Sequence, residues 1–299
     1  MIVNAPTGLP WSVVPWPKAT AAEQLAEQTN VCWRATGEVD RLCNQPLRAT
    51  LDVEEEVGPD YRVTVDNTGV VTLLASRWPI ISIIGGQYSP ADVIPPNWIT
   101  IPGTAMRPSA QISSVYGTTA PGASADGPSM IDISPGYVSW WNGRRGHRLQ
   151  VSYVNGWPHA ALLATAAAGA TSLRVDDVTG MAGARCWLYD GANTEMVTVN
   201  SVTADAPATV MGTSVPVGPG TATLTTPLAS SHAAGIVCSA IPQDISWATI
   251  LLASSEVLDS GASAMLMQSV SGSETIGGKG AEDLRRQAKK ILEAYGRVI

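Results

Sequence analysis

The sequence predicts an α+β protein in which a helical body with a β-meander and β-hairpins carries an inserted all-β domain, a small barrel or sandwich. Helical patterns open the chain after residue 19 and close it after residue 280, whereas runs of period two dominate between them. A strand pattern stops at Gly156 and Pro158, and the helix expected to follow it begins only about 80 residues later, at Pro242. We therefore interpret residues 160–239 as an insertion.

The predicted parts follow from these breaks. Residues 1–18 form an extended N-terminal arm, residues 19–159 and 240–299 form a discontinuous body, and residues 160–239 form the inserted β domain. Four prolines and the lack of a basic start argue against a signal peptide in the arm. Its valines and tryptophans predict that it lies along its own body or on a neighbouring subunit.

Charged side chains are scarce in this chain. They make up 14% of the residues, against about 25% in an ordinary soluble domain. This favours a subunit whose faces are covered by neighbours, although a β protein with uncharged polar residues is the alternative. The net charge of −7 excludes a protein that holds nucleic acid over its whole surface. No apolar run has the length of a membrane span, so no membrane partner is expected.

Three helices and one further short helical stretch are expected. Thr20 and Glu23 form a capping box for the first helix, which Gly37 should end or bend before a short helical stretch at 38–45. A second helix begins at Pro242 and Asp244, and it is so poor in charge that it should be buried on nearly all sides.

The last helix, at 281–296, has an apolar stripe and a basic face. We expect it to dock on another protein, since a Gly/Ser-rich tether at 259–280 lets it reach away. The alternative is that it packs on its own bundle. The predicted docking residues are Leu284, Ala288, Ile291 and Tyr295 on the stripe, and Arg285, Arg286, Lys289 and Lys290 on the basic face.

Strands are predicted wherever apolar and polar residues alternate. Four runs at 49–84 predict a meander, and six runs at 171–239 are enough for a small barrel or sandwich. Asn142-Gly143 is typical of a two-residue hairpin. The stretch at 85–130 reads as a long loop, functional or ordered by a partner.

No catalytic, cofactor or metal site is predicted. The Gly-rich stretch at 271–280 lacks the spacing of a phosphate-binding loop, and the three histidines are isolated in the sequence. The four cysteines are expected to be reduced thiols, although Cys186 and Cys238 could meet on paired strands.

Two charged clusters are candidate contact surfaces. The run Glu54, Glu55, Glu56 predicts an exposed acidic edge, because charges on an edge strand block unwanted pairing. Arg144, Arg145 and Arg148 lie beside a tryptophan pair, which is typical of a loop that contacts a protein partner or DNA.

Several phrases of the sequence resemble a known family. These are GEVDRLCNQPLRAT at 37–50, SRWPIISI at 76–83, VSYVNGWP at 151–158, IPQDISWATILLAS at 241–254 and the terminal amphipathic helix. They are similar to the head-to-tail connector proteins, also called adaptor or head-completion proteins, of tailed bacteriophages. In that family a similar strand is followed almost at once by a Pro-x-Asp-Ile helix start, and the stretch between resembles a small β-module of phage structural proteins.

The resemblance implies a helical connector body and a structural role without cofactors. Such proteins form a ring, commonly of twelve subunits, beneath the portal protein, at the virion neck, and they are made and assembled in the host cytoplasm. The partners implied are further copies of the chain, the portal protein, a downstream stopper or tail-terminator protein, and genomic DNA that passes through the lumen without specific binding. The acidic edge would then face the lumen.

A second interpretation is a tail-associated binding protein whose β insert recognises a host glycan or protein. It requires an aromatic platform on the insert, for which Trp187 and Tyr189 are the candidates.

Overall fold

A computed structural model of the chain describes residues 20–57, 62–90, 94–109, 129–135, 147–266 and 276–296. The chain divides into two compact units. The helical unit joins the residues up to Leu47 with those from Ile241 onward, and the β unit comprises Arg48–Ala240. The predicted arm at 1–18 lies outside the described residues, and the predicted domain boundaries stay a prediction.

Three helices form the described core of the helical unit. They are α1 (Ala21–Cys43), α2 (Gln243–Leu266) and α3 (Ile276–Leu292), which a 3₁₀ turn at Glu293–Tyr295 extends. Helix α2 packs most extensively against α3 and also packs against α1. The predicted tether at 259–280 is helical at both of its ends. Helix α2 continues to Leu266, and α3 already begins at Ile276.

The start of α1 follows the sequence prediction, whereas its middle does not. The Thr20 hydroxyl accepts a bond from the Glu23 N–H, and the Glu23 carboxylate accepts one from the Thr20 N–H at 2.7 Å, so the capping box is confirmed. The expected break at Gly37 is wrong, since α1 continues to Cys43. Gly37 is exposed, and its cost of about 1 kcal/mol is offset by burial of Ala35 and Val39 on either side.

The described part of the β unit has sixteen strands, all paired antiparallel. They are β1 (Thr50–Val57), β2 (Val63–Val65), β3 (Val71–Leu74), β4 (Ile80–Pro90), β5 (Ile99–Ile101), β6 (Met106–Ser109), β7 (Met130–Ile133), β8 (His147–Asn155), β9 (His159–Ala161), β10 (Ser172–Val175), β11 (Arg185–Tyr189), β12 (Glu195–Ala204), β13 (Ala208–Val210), β14 (Thr213–Val215), β15 (Gly220–Leu224) and β16 (Val237–Ser239).

Strands β1–β8 form two four-stranded sheets over one core. Their orders are β1-β8-β4-β5 and β2-β3-β7-β6. Inward-facing residues of both sheets belong to a single buried cluster, in which Leu149, Val151 and Tyr153 of β8 meet Leu73 of β3 and Ile131 of β7. Alternation along each strand explains this arrangement, since every second side chain points to the same face.

The remaining strands form the β-module, which we define as residues 159–240. Six of them make a sheet in the order β10-β15-β12-β11-β16-β9 around a second core, and β13 and β14 form a hairpin. All six runs predicted at 171–239 contain strands. Leu162, just after β9, bridges to Val175 of β10, so the first and last strands of the sheet also meet.

The β-module packs closely against the first sheet. Gly180 has a φ of +71°, at which a side chain is strained, and a Cβ atom there would lie 2.6 Å from the end of the Ile81 side chain. Arg48, just before β1, pairs with Asp177 of the β-module at 2.9 Å. These contacts join the β-module to the sheet that precedes it in the chain.

The prediction of a helical body is wrong. Helices hold 28% of the residues, and the stretch that we assigned to the helical body between residues 50 and 155 instead builds two sheets with their own core. The predicted meander at 49–84 is also wrong, because β1 pairs with β8, about 100 residues away, and not with β2. The stretch at 85–130, expected as a loop, contains β5, β6 and parts of β4 and β7. The hairpin turn at Asn142-Gly143 lies outside the described residues.

Candidate functional site

Helix α3 carries the largest set of predicted site residues. Its helical period places an apolar stripe toward α2. Ala288 and Tyr295 of the predicted stripe are buried, and Leu284 and Ile291 are half-buried. The sequence prediction missed Leu292, which is 1% exposed, because the stripe is wider than the spacing we followed.

A polar contact also fixes this helix to its own unit. The Tyr295 hydroxyl donates a hydrogen bond of 2.6 Å to the carboxylate of Asp244, at the start of α2. Burial of Leu292 and Tyr295 contributes about 1.5 to 3 kcal/mol each. The stripe therefore packs on its own bundle, as in the alternative interpretation, and docking of its half-buried residues on another protein stays a prediction.

The basic face of α3 remains at the surface. Arg286 pairs with Asp283 on the same helix, and Arg285 pairs with Asp259 of α2. Lys289 and Lys290 are exposed and form no ion pair with a described residue. This face can attract an acidic partner, and docking through it stays a prediction.

A groove lies between the three helices. Its cavity volume is about 310 Å³, with Ala35 and Leu252 among the apolar residues that line it. Arg34 of α1 bridges Glu27, at 2.8 Å, and Glu256 of α2. Hydrogen bonds from Arg41 hold the pKa of the Glu38 carboxyl, at the groove wall, below its ordinary value. Acidic and basic groups thus alternate here, and the groove favours neither sign of ligand.

The predicted acidic edge is only partly exposed. Strand β1 is an edge strand, as the sequence implied, and Glu55 is exposed. The side chains of Glu54 and Glu56, however, are only 9% and 3% exposed, and both pair with Arg62. The prediction of an exposed edge is therefore wrong for Glu54 and Glu56, because alternation along β1 turns them away from Glu55 and toward Arg62.

Glu54 is the centre of this buried network. It accepts hydrogen bonds from the Ser76 N–H at 2.9 Å and from the Tyr153 hydroxyl at 2.7 Å, in addition to Arg62 at 2.7 Å. Burial and the charge of Glu54 raise the pKa of Tyr153, so its hydroxyl stays a donor. Sequence reasoning missed Arg62, whose only signal was that it is the first basic residue after the acidic run.

The predicted basic loop is only partly described. Arg144 and Arg145 lie outside the described residues. Arg148 lies on β8, half-buried, with its guanidinium 3.9 Å from the Glu55 carboxylate on β1. Arg148 thus contacts a strand of its own sheet.

The described residues contain no group of three or more side chains placed to bind a metal ion. All four cysteines are free and buried, and Cys186 and Cys238 lie close together on neighbouring strands. Among the helices in the described ranges, none is both long and apolar enough to cross a membrane.

Comparison with known proteins gives no match. No protein-family model fits the chain, and neither a curated protein nor a solved structure matches it significantly.

Proposed function

We propose that the chain is a structural subunit of a ring at the head-to-tail junction of a tailed bacteriophage, beneath the portal protein. In this role it extends the channel for genomic DNA toward a stopper or tail-terminator protein. The resemblance of the phrases at 37–50, 76–83, 151–158 and 241–254 carries this proposal. The chain is largely β and lacks the helical body that the resemblance implied. The proposal therefore extends only to the role of that family in the virion, and not to its fold.

One structural observation supports the interpretation of residues 160–239 as an insertion. His159 of β9 pairs with Ser239 of β16, and the Ala240 N–H donates to the Pro158 carbonyl at 2.8 Å. The two ends of the β-module are therefore adjacent in space. An insertion between a strand and a following helix requires this adjacency.

The charges of the helical unit suggest how copies contact one another. The first three turns of α1 carry Glu23 and Glu27 but no basic residue, and Leu25 among them is 57% exposed. The basic face of α3 presents Lys289 and Lys290 without ion-pair partners among the described residues. Complementary charges on different faces of one subunit favour a head-to-tail contact, which closes into a ring when the rotation fits.

A charge swap tests the ring. In negative-stain images and in light scattering the purified chain should form closed rings, and Lys289→Glu with Lys290→Glu should dissociate them. Combining these changes with Glu27→Lys should restore assembly, because opposite charges again meet, whereas Glu23 stays unchanged because it completes the capping box of α1.

The matched control is Arg286→Glu with Asp283→Arg, which reverses an ion pair within α3 and should leave assembly intact. A chain that stays monomeric at all concentrations would contradict the ring. Rings that survive the lysine changes would contradict this contact alone. Attachment to the portal protein is measured separately, by co-sedimentation with portal rings.

One observation favours the second function, recognition of a host surface. Trp187 and Tyr189 share the outward face of β11, and Met196 opposite Trp187 is 45% exposed. Both aromatic side chains are half-buried, so they offer a partial platform. Loss of cell-surface binding in Trp187→Ala, with ring assembly unchanged, would support this function.

A further inference from the structure

A buried histidine in the β-module contacts two carboxylates. The side chain of His232 is fully buried, with Nδ1 at 2.9 Å from the Asp190 carboxylate and Nε2 at 2.8 Å from the Glu195 carboxylate. Asp190 follows β11, Glu195 begins β12, and His232 lies in the connection between β15 and β16. We call these three residues the clasp.

The hydrogen bonds of the clasp define its protonation. A neutral imidazole has one donor and one acceptor, whereas an imidazolium has two donors. Glu195 also accepts bonds from the N–H groups of Ala229, at 2.9 Å, and Ser230, at 3.0 Å, so it is an acceptor on every side. With both carboxylates ionised, only a doubly protonated His232 donates a hydrogen bond to each of them.

Electrostatics agrees with this geometry. Burial alone lowers the pKa of His232, but the hydrogen bonds and charges of Glu195 and Asp190 together outweigh it and raise the pKa above its ordinary value. For Glu195, burial raises the pKa, and the bonds from Ala229, His232 and Ser230 bring it below the ordinary value.

Other charged groups of the surrounding strands point elsewhere. The Arg185 guanidinium of β11 contacts the Met196 sulfur at 3.2 Å, and Arg174 of β10 pairs with Asp205. Among the described residues, Asp190 and Glu195 are therefore the charged groups that contact the imidazole.

The clasp holds a short segment whose ends are fixed independently. The Leu228 N–H and carbonyl bond to Ala170 and Gly169, and the backbone of His232 exchanges two bonds of 2.8 Å with Ala166. Between these anchors, the N–H groups of Ala229 and Ser230 bond to the Glu195 side chain.

We propose that the clasp is a pH-sensitive lock, in which a protonated His232 ties residues 229–231 to strands β11 and β12 and loss of the proton releases that segment. The anchors at Leu228 and His232 limit the release, so the sheet itself stays paired. This device is independent of the function proposed above.

The direction of the pH dependence follows from the raised pKa of His232. The lock contributes its full stability below the ordinary pKa of about 6.5, and it loses that stability as the pH rises through the folded-state pKa. The lowered pKa of Glu195 sets the acid limit, since the stability from its bonds is lost when the pH falls through that value.

Hydrogen exchange and histidine NMR test the lock in the full chain. After correction for intrinsic exchange, protection of the Ala229 and Ser230 amides should fall by up to about tenfold per pH unit above the ordinary pKa, levelling off above the folded-state pKa. The Gly169 and Leu228 amides, whose partners are backbone carbonyls, should keep their protection. In ¹⁵N-histidine spectra at about pH 6, both His232 nitrogens should show the imidazolium shift.

Two variants identify the group responsible. His232→Gln should make the protection of Ala229 and Ser230 independent of pH in this range, whereas Arg174→Gln, which removes an exposed pair of the same β-module, should leave the wild-type profile unchanged. If His232→Gln does not fold, Asp190→Asn should move the loss of protection to lower pH. A neutral imidazole at about pH 6, or an unchanged profile in the wild type or in His232→Gln, would overturn the proposal.

Discussion

The helical unit and the β unit differ in their ion pairs: both have exposed pairs, and the β unit also contains a buried network. In the helical unit the ion pairs lie at the surface, as for Arg34 and Glu27, whose side chains are 50% and 45% exposed. In the β unit, Glu54, Glu56 and Arg62 form a pair network with side chains at most 19% exposed. Water screens the first kind of pair and is excluded from the second.

This difference in exposure decides how much the loss of one charged partner lowers the stability of the fold. An exposed pair contributes little, because each partner is almost as stable when it is hydrated alone. A buried pair adds little net stability either, but loss of one partner leaves an uncompensated charge in the interior, which is costly. The fold therefore depends on Arg62 far more than on any ion pair of the helices.

The largest effect is expected from Arg62→Met. It leaves the Glu54 and Glu56 carboxylates buried without their cation, and the free energy of unfolding should fall by about 3 to 5 kcal/mol. Denaturant unfolding measures it. The control is Arg107→Met in the same unit: Arg107 is 76% exposed and lies 3.4 Å from Asp132, so the loss should stay within about 1 kcal/mol. Similar values for the two variants would remove the contrast between buried and exposed ion pairs.

A second substitution tests whether buried apolar side chains, rather than ion pairs, stabilise the helical unit. Leu292→Ala removes a fully buried side chain between α3 and its own bundle, and it should lower the free energy of unfolding by about 2 to 5 kcal/mol. Leu284→Ala, at a half-buried position of the same helix, should cost less. An unchanged melting temperature of the isolated subunit after Leu292→Ala would mean that α3 packs on something other than its own chain.

The smallest effect is expected from Glu256→Gln. It removes one partner of Arg34, which keeps Glu27, so the free energy of unfolding should change by less than about 1 kcal/mol. The difference should shrink further at about 1 M salt, where charges are screened within about 3 Å. Unfolding curves at low and high salt measure this change in the free energy of unfolding. A large change that persists at high salt would mean that the pair of Arg34 and Glu256 is buried.

Two neighbouring glutamates show where sequence reasoning stops. The alternation of β1 predicted a strand, but from the sequence we assigned Glu54, Glu55 and Glu56 to a single exposed edge, whereas in the structure only Glu55 is exposed. The alternation did not show that Tyr153 and Ser76 would bond to Glu54, because Tyr153 approaches only when β8 pairs with β1, and Ser76 lies between β3 and β4, outside the run that contains Glu54. The same holds for His232, which is isolated in the sequence and meets Asp190 and Glu195 only in the folded β-module.

The sequence by itself determined the local elements: the capping box at Thr20 and Glu23, the amphipathic period of α3 and the six strand runs of the β-module. These depend on hydrogen bonds and side-chain periods within a few residues, which a short stretch of sequence contains. The tertiary structure alone decided that β1 pairs with β8, that the stripe of α3 faces its own bundle and that two glutamates are buried. Each of these depends on a partner that the sequence places far away, and burial, which sets the energetic cost of a charge, is a property of the assembled fold.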